Sequence, residues 1–174
     1  MTFLKNSVAI LISIICVILL GACSNDSVHE PDEIKKLVQK YSIGEFENLS
    51  ASITSTELVV SSENNNQKVY KLPSDEFFVS IAPFINTTHE CAIHSLTGCQ
   101  GELVEQEFHV SIKDEEGNTV LDQEMKSLNN GFIDLWLPRN QTFLVEIEYK
   151  GRIAKSEIST FEGDNTCITT MQLI

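Results

Sequence analysis

The apolar positions of the chain change rhythm along its length, and each rhythm predicts a different element. Ser7 to Leu20 (SVAILISIICVILL) is an almost unbroken apolar run. From Pro31 the spacing becomes helical: Ile34, Leu37, Val38 and Tyr41 recur at three and four residues, with Pro31 at the first position and Asp32 and Glu33 in the first turn, which predicts a short amphipathic helix to about Ser42 that ends at Gly44. Beyond it the pattern is that of strands. Ala51 to Val60 and Gln67 to Leu72 flank a polar Ser-Glu-Asn-Asn-Asn stretch and read as a hairpin, and Phe77 to Ile81 is a more apolar strand stopped by Pro83.

The segment from Asn86 to Gly101 carries no periodicity and reads as a long loop, the kind of element that carries function. After it short strands follow at regular spacing: Phe108 to Lys113, Thr119 to Glu124, Gly131 to Leu137, Thr142 to Tyr149, Arg152 to Phe161 and Cys167 to Leu173. The expected fold is mainly β (α+β), with a small N-terminal helix and β-hairpin region followed by a C-terminal antiparallel β-sandwich. The organisation this implies is a leader at 1–22, a tether at 23–31, the helix and hairpin region at 32–85, and a loop-plus-sandwich domain at 86–174.

The first apolar run is too short to span a bilayer comfortably and follows a short segment bearing Lys5, so it reads as a signal peptide. It ends in Leu20-Gly21-Ala22-Cys23, which resembles the lipobox of bacterial lipoproteins, where the cysteine is acylated and becomes the mature N-terminus; the competing reading is an ordinary secretory signal with a chance cysteine. The expected location is extracytoplasmic, lipid-anchored to the cell membrane through Cys23, or periplasmic. The formal net charge of −13 becomes one unit more negative once Lys5 leaves with the leader. So acidic a surface argues against nucleic acid and against electrostatic docking on anionic lipid.

Cysteine usage sharpens the picture. Of five cysteines, Cys16 lies in the leader and Cys23 is the acylation site, so Cys91, Cys99 and Cys167 remain to the mature fold, where disulfides form. Cys91-Ala-Ile-His94-Ser-Leu-Thr-Gly-Cys99 places two thiols and an imidazole in one loop. Soft thiolates select Cu(I), imidazole accepts copper or zinc, and thiols can also donate the electrons that reduce Cu(II). A structural Cys91–Cys99 disulfide with Cys167 as a packing residue is the plainer alternative, and the Cys91/Cys99 spacing matches no zinc pattern. Met171 lies about 13 Å along a strand from Cys167, too far to share an ion, and is assigned to the core. His94 is the foremost nitrogen candidate, in a loop too short to bury it fully, with His89 second. His109 is expected to point outward from its strand, and His29 sits in the tether. Trp136 is expected to pack in the core.

Four strings, Phe77 to Pro83, Cys91 to Leu103, Asn130 to Arg139 and Gly163 to Leu173, stand in the same order as in CueP, the periplasmic copper-binding family, and the chain resembles that family over roughly residues 33–173. The resemblance implies copper binding through Cys91, Cys99 and Cys167 with His94 nearby, reduction of Cu(II), a role in copper resistance or as a metallochaperone supplying exported enzymes, and a homodimer formed through the N-terminal region. Zinc is the substitute ion for the same donors, and thiol-disulfide oxidoreductases or copper-requiring exported enzymes are the further partners. The lipobox departs from the soluble enterobacterial members. Two other functions remain open at this point: a metal-independent thiol-disulfide redox protein, and a structural surface lipoprotein with an incidental disulfide.

Overall fold

The computed structural model describes residues 30–64 and 66–174. The leader, Cys23 and most of the tether lie outside the described residues. The described residues open with helix α1 (Pro31–Ile43), whose acidic first turn and Lys40 in the last turn complement the helix dipole. Its Ile34, Val38 and Tyr41 are buried, as the spacing predicts.

The expected strand at 51–60 is two strands, β1 (Leu49–Ile53) and β2 (Glu57–Ser62), paired with Ile53 opposite Leu58. The turn between them has no Gly, Pro or Asn. Instead the Thr54 hydroxyl accepts the backbone N–H groups of Thr56 (3.3 Å) and Glu57 (3.0 Å), a side-chain substitute for turn-forming residues. Strand β3 (Gln67–Lys71) then pairs with β2, completing a second hairpin.

Strand β4 (Glu76–Ile81) is the axis of the molecule. It pairs antiparallel with β8 (Ile133–Pro138) and parallel with a short β11 (Cys167–Ile168). Phe77, Val79 and Ile81 point to one side, where they share a core with β6 (Glu107–Asp114), β9 (Thr142–Tyr149) and β10 (Arg152–Ser159). With the exposed β7 (Thr119–Lys126) these strands form an antiparallel sheet in the order β10-β9-β6-β7. The expected sandwich is therefore present, with β4 at the centre of its second sheet. Phe78 points to the other side, into a core shared with α1, β1 and β2, where it meets Trp136 edge-on at 5.3 Å. A strand covered on both faces favours apolar residues on both, which explains Phe77, Phe78, Val79 and Ile81; the one polar residue among them, Ser80, is buried with its hydroxyl bonded to Asp134.

The helix is pinned to this central sheet by a buried polar link. The Asp134 carboxylate accepts hydrogen bonds from Ser42 at the end of α1 and from Ser80 on β4, both at 2.6 Å. The expected C-terminal strand Cys167 to Leu173 is shorter than predicted: only Cys167 and Ile168 join β4, and a single bridge between Phe84 and Gln172 continues the direction. Met171 is 1 % exposed and sits in the sandwich core.

Candidate metal centre

The loop carrying two of the cysteines is held from both ends. Its middle forms a two-residue strand, β5 (His94–Ser95), that pairs with β1 so that His94 stands opposite Ile53. The Leu96 N–H donates to the carbonyl of Ala51, and the Leu96 side chain is buried in the helix-side core. A tight turn follows, in which the Gly98 and Cys99 N–H groups both donate to the Ser95 carbonyl (3.2 and 3.0 Å), bringing Cys99 back toward the start of the loop.

The second segment arrives through Thr166. Its hydroxyl donates to the carbonyl of Ile53 at 2.6 Å and accepts the His94 N–H at 3.0 Å, while the Thr166 and Cys167 N–H groups both donate to the carbonyl of Ala92. One buried hydroxyl thus ties β1, β5 and β11 together. Cys167 and His94 are adjacent as a result, although 73 positions apart: His94 Nδ1 lies 3.4 Å from Cys167 Sγ.

Further along the loop the chain passes close to the turn before β8. A Cβ at Gly101 would come within 2.6 Å of the Gly131 carbonyl oxygen, and Gly131 itself has φ +80°. Glycine at both positions permits the contact. It brings Phe132 beneath the sulfurs, where it clusters with Ala82 and Cys167 and is flanked by Cys91 and Cys99. Beyond the crossing, the Glu102 carboxylate accepts N–H groups of Ile85, Asn86 and Thr87 and the Asn86 side-chain amide. Burial opposes its ionisation, but these donors hold its pKa down at about 2.

Cys91, Cys99 and Cys167 are in no disulfide. Cys91 Sγ and Cys99 Sγ are 3.5 Å apart, in contact and unbonded. The donor atoms of His94, Cys99 and Cys167 lie within 4.8 Å of one another, and those of His89, Cys91 and Cys99 do likewise, so Cys99 belongs to both groups. The sequence places His94 in a loop too short to bury it fully, but the structure encloses it completely, at 0 % exposed. Its ring packs on Phe132 at 4.5 Å and near Phe78 at 6.2 Å, side chains contributed by strands far away in sequence. Its Nε2 is a buried polar atom with no hydrogen-bond partner among the described residues. His89 is exposed beside the sulfurs, and its ring lies 6.3 Å from the same Phe132. His109 points outward, as expected from strand alternation, and is paired with Asp122 and Glu124.

The sulfurs are electrostatically unequal. The thiol of Cys167 donates to Cys99, and this contact, outweighing burial and helped by His94, the Ser95 N–H and His89, lowers the Cys99 pKa to about 3. The Cys167 pKa is raised by the same contact and by burial, and that of Cys91 is raised chiefly by burial. Near neutrality the cluster therefore holds one thiolate and two thiols. Alkylation of the metal-free protein with iodoacetamide, followed site by site by mass spectrometry, is expected to proceed at Cys99 at a rate that stays flat between about pH 5 and 8, because the reactive form is already fully populated. At Cys91 the rate should climb throughout that interval. A Cys99 rate that climbs in parallel with Cys91 would show that the thiolate is not fixed there.

Sulfur and imidazole donors beside Phe132 and Ala82 suit a soft or borderline metal ion, whereas hard cations seek oxygen ligands. The imidazole is set by packing against Phe132 and Phe78 and by the contact of its Nδ1 with the Cys167 sulfur, while its Nε2 has no hydrogen-bond partner among the described residues.

A family model described as periplasmic copper-binding protein CueP matches residues 33–172. Among solved structures, one described as the crystal structure of S.CueP superposes with a TM-score of 0.77 at 38 % identity, covering 81 % of this chain and 88 % of that one. No curated protein matches the chain. The matched span contains every residue of the cluster.

Proposed function

The chain belongs to the CueP family of periplasmic copper-binding proteins, and from that premise we propose that it holds Cu(I) through the thiolates of Cys91, Cys99 and Cys167 with His94. The observation that carries this reading is the convergence of two distant segments on one spot, with His94, Cys99 and Cys167 donors mutually within 4.8 Å. Cys99 offers a thiolate already charged at rest, and Cys91 and Cys167 give up protons as the metal arrives, so binding releases protons and tightens as pH rises. Zinc is the substitute ion accepted by these donors.

The contact between Cys91 and Cys99 supports reduction of Cu(II) as a second capacity of the same cluster. Two Cu(II) ions would each take one electron, the Cys91 thiol and the Cys99 thiolate would close to one disulfide, and the Cys91 proton would leave to solvent. Cys167 would stay reduced and keep its hold on the product. The protein then serves copper resistance, or delivery of copper to exported enzymes. It acts from the outer side of the membrane, anchored by acylated Cys23, as a homodimer.

X-ray absorption at the copper edge of anaerobic, reduced protein loaded with one equivalent of Cu(I) tests the assignment. The expected spectrum is that of Cu(I) with sulfur as the dominant neighbour and a nitrogen beside it. A shell of only nitrogen and oxygen, or no retention of copper after desalting, would overturn it and favour a metal-independent thiol-disulfide exchanger or a structural lipoprotein.

A further inference from the structure

The two donor groups differ in their access to solvent. In the group of His89, Cys91 and Cys99, the histidine is exposed and both cysteines are partly exposed. In the group of His94, Cys99 and Cys167, the histidine and one cysteine are fully enclosed, and only Cys99 reaches outward. They share the Cys99 sulfur, and the Phe132 ring backs the histidine of each. Of the three donors of the buried group, Cys99 is the one that is partly exposed, and it is also the donor shared with the outer group.

We propose that the outer group is a capture station, a second binding site for Cu(I) formed by His89, Cys91 and Cys99, from which the ion is handed to the buried group without leaving the Cys99 sulfur. The proposal rests on the copper reading above. In the transfer the bond to His89 breaks while bonds to Cys167 and His94 form, and Cys91 and Cys99 stay bound. Cys167 releases its proton to solvent as it binds, and no electron moves. Each intermediate keeps at least one thiolate on the metal, which avoids the cost of an uncoordinated ion in an apolar pocket. Metal exchange that proceeds by swapping ligands on a shared sulfur also explains why an exposed histidine stands next to a site that already has a buried one.

His89 lies on the surface, so its replacement by Ala leaves the fold intact. The test mixes reduced protein with the Cu(I) complex of bathocuproine disulfonate under argon in a stopped-flow instrument. It follows uptake, then removal by excess chelator, for the wild type and His89→Ala. The expected result is that both uptake and removal slow by about tenfold while the equilibrium distribution of copper shifts by less than about twofold, because a station on the path changes the barrier and not the end states. An equilibrium shift of about tenfold would overturn the proposal, since His89 would then hold the resting ion. Unchanged kinetics in both directions would overturn it also, while leaving the copper reading intact. Failure of the wild type itself to take copper from the chelator would instead bring down the copper reading and the relay together.

Discussion

Replacing Cys99 by Ser is expected to lower Cu(I) affinity by about a thousandfold, the largest effect of any single substitution in the cluster, well beyond the roughly 10–100-fold that loss of an outer-shell partner costs a metal site. The argument is geometric first. Cys99 is the one residue common to both donor groups, so its loss leaves neither complete. It is also the sulfur that is ionised at rest, with its pKa held at about 3 by the Cys167 thiol and its other neighbours. A serine hydroxyl at the same place is nearly isosteric but stays protonated and presents a hard oxygen to a soft ion. The same substitution removes the partner with which Cys91 would close a disulfide, so stoichiometric reduction of Cu(II) should disappear as well. Stability should change little, by about 0.5 kcal/mol or less, because Cys99 is half-exposed and its backbone hydrogen bond to Ser95 is untouched. Competition against a Cu(I) chelator, with a thermal melt of the same sample, separates the two quantities. Affinity within about tenfold of wild type would mean that the shared sulfur is not a ligand.

Much of the fold can be read from the chain because its local signals agree with its packing. Helix α1 announces itself through Pro31, an acidic first turn and an apolar stripe, and all three features recur in the structure. Strands β6 and β9 alternate buried and exposed residues almost perfectly, as a half-covered sheet requires. The split between β1 and β2 is invisible for a physical reason. Ser52 to Thr56 favours extended backbone throughout, and the reversal depends on a single threonine hydroxyl that caps its own turn. Strand β5 is two residues long, too short to leave a period, and it exists because Ile53 and Thr166 offer it partners.

The candidate site shows the same division. That Cys91, His94 and Cys99 share a loop follows from spacing, and the odd cysteine count points to Cys167. Their convergence does not follow from spacing at all. It depends on Thr166 bridging three strands and on the Gly101 to Gly131 crossing, contacts between positions far apart in the chain. The burial of His94 is not legible in the loop for that reason: its enclosure comes from Phe78 and Phe132, which the loop sequence does not contain. The signal that could have located it is the resemblance of the Asn130 to Arg139 string, which carries Phe132 beside the turn glycine.

The dependence of the whole account on that convergence makes Cys167 the residue to change. It is 1 % exposed, lies beyond the loop on β11, and touches His94 at 3.4 Å. Its truncation to Ala leaves only a small void in the core, so the protein should fold with a loss of about 1 kcal/mol, and Cys167→Ser provides a second variant of nearly native volume. Both retain Cys91, Cys99, His89 and His94, and hence everything that the loop alone could offer a metal. Copper retained by reduced protein after desalting, measured against chelator for the wild type and for Cys167→Ala, is the most direct measurement. Retention weakened by about a hundredfold or more in a folded variant is the result predicted for an ion held by both segments. Near-equal retention would contradict it, because the copper would then belong to the loop alone.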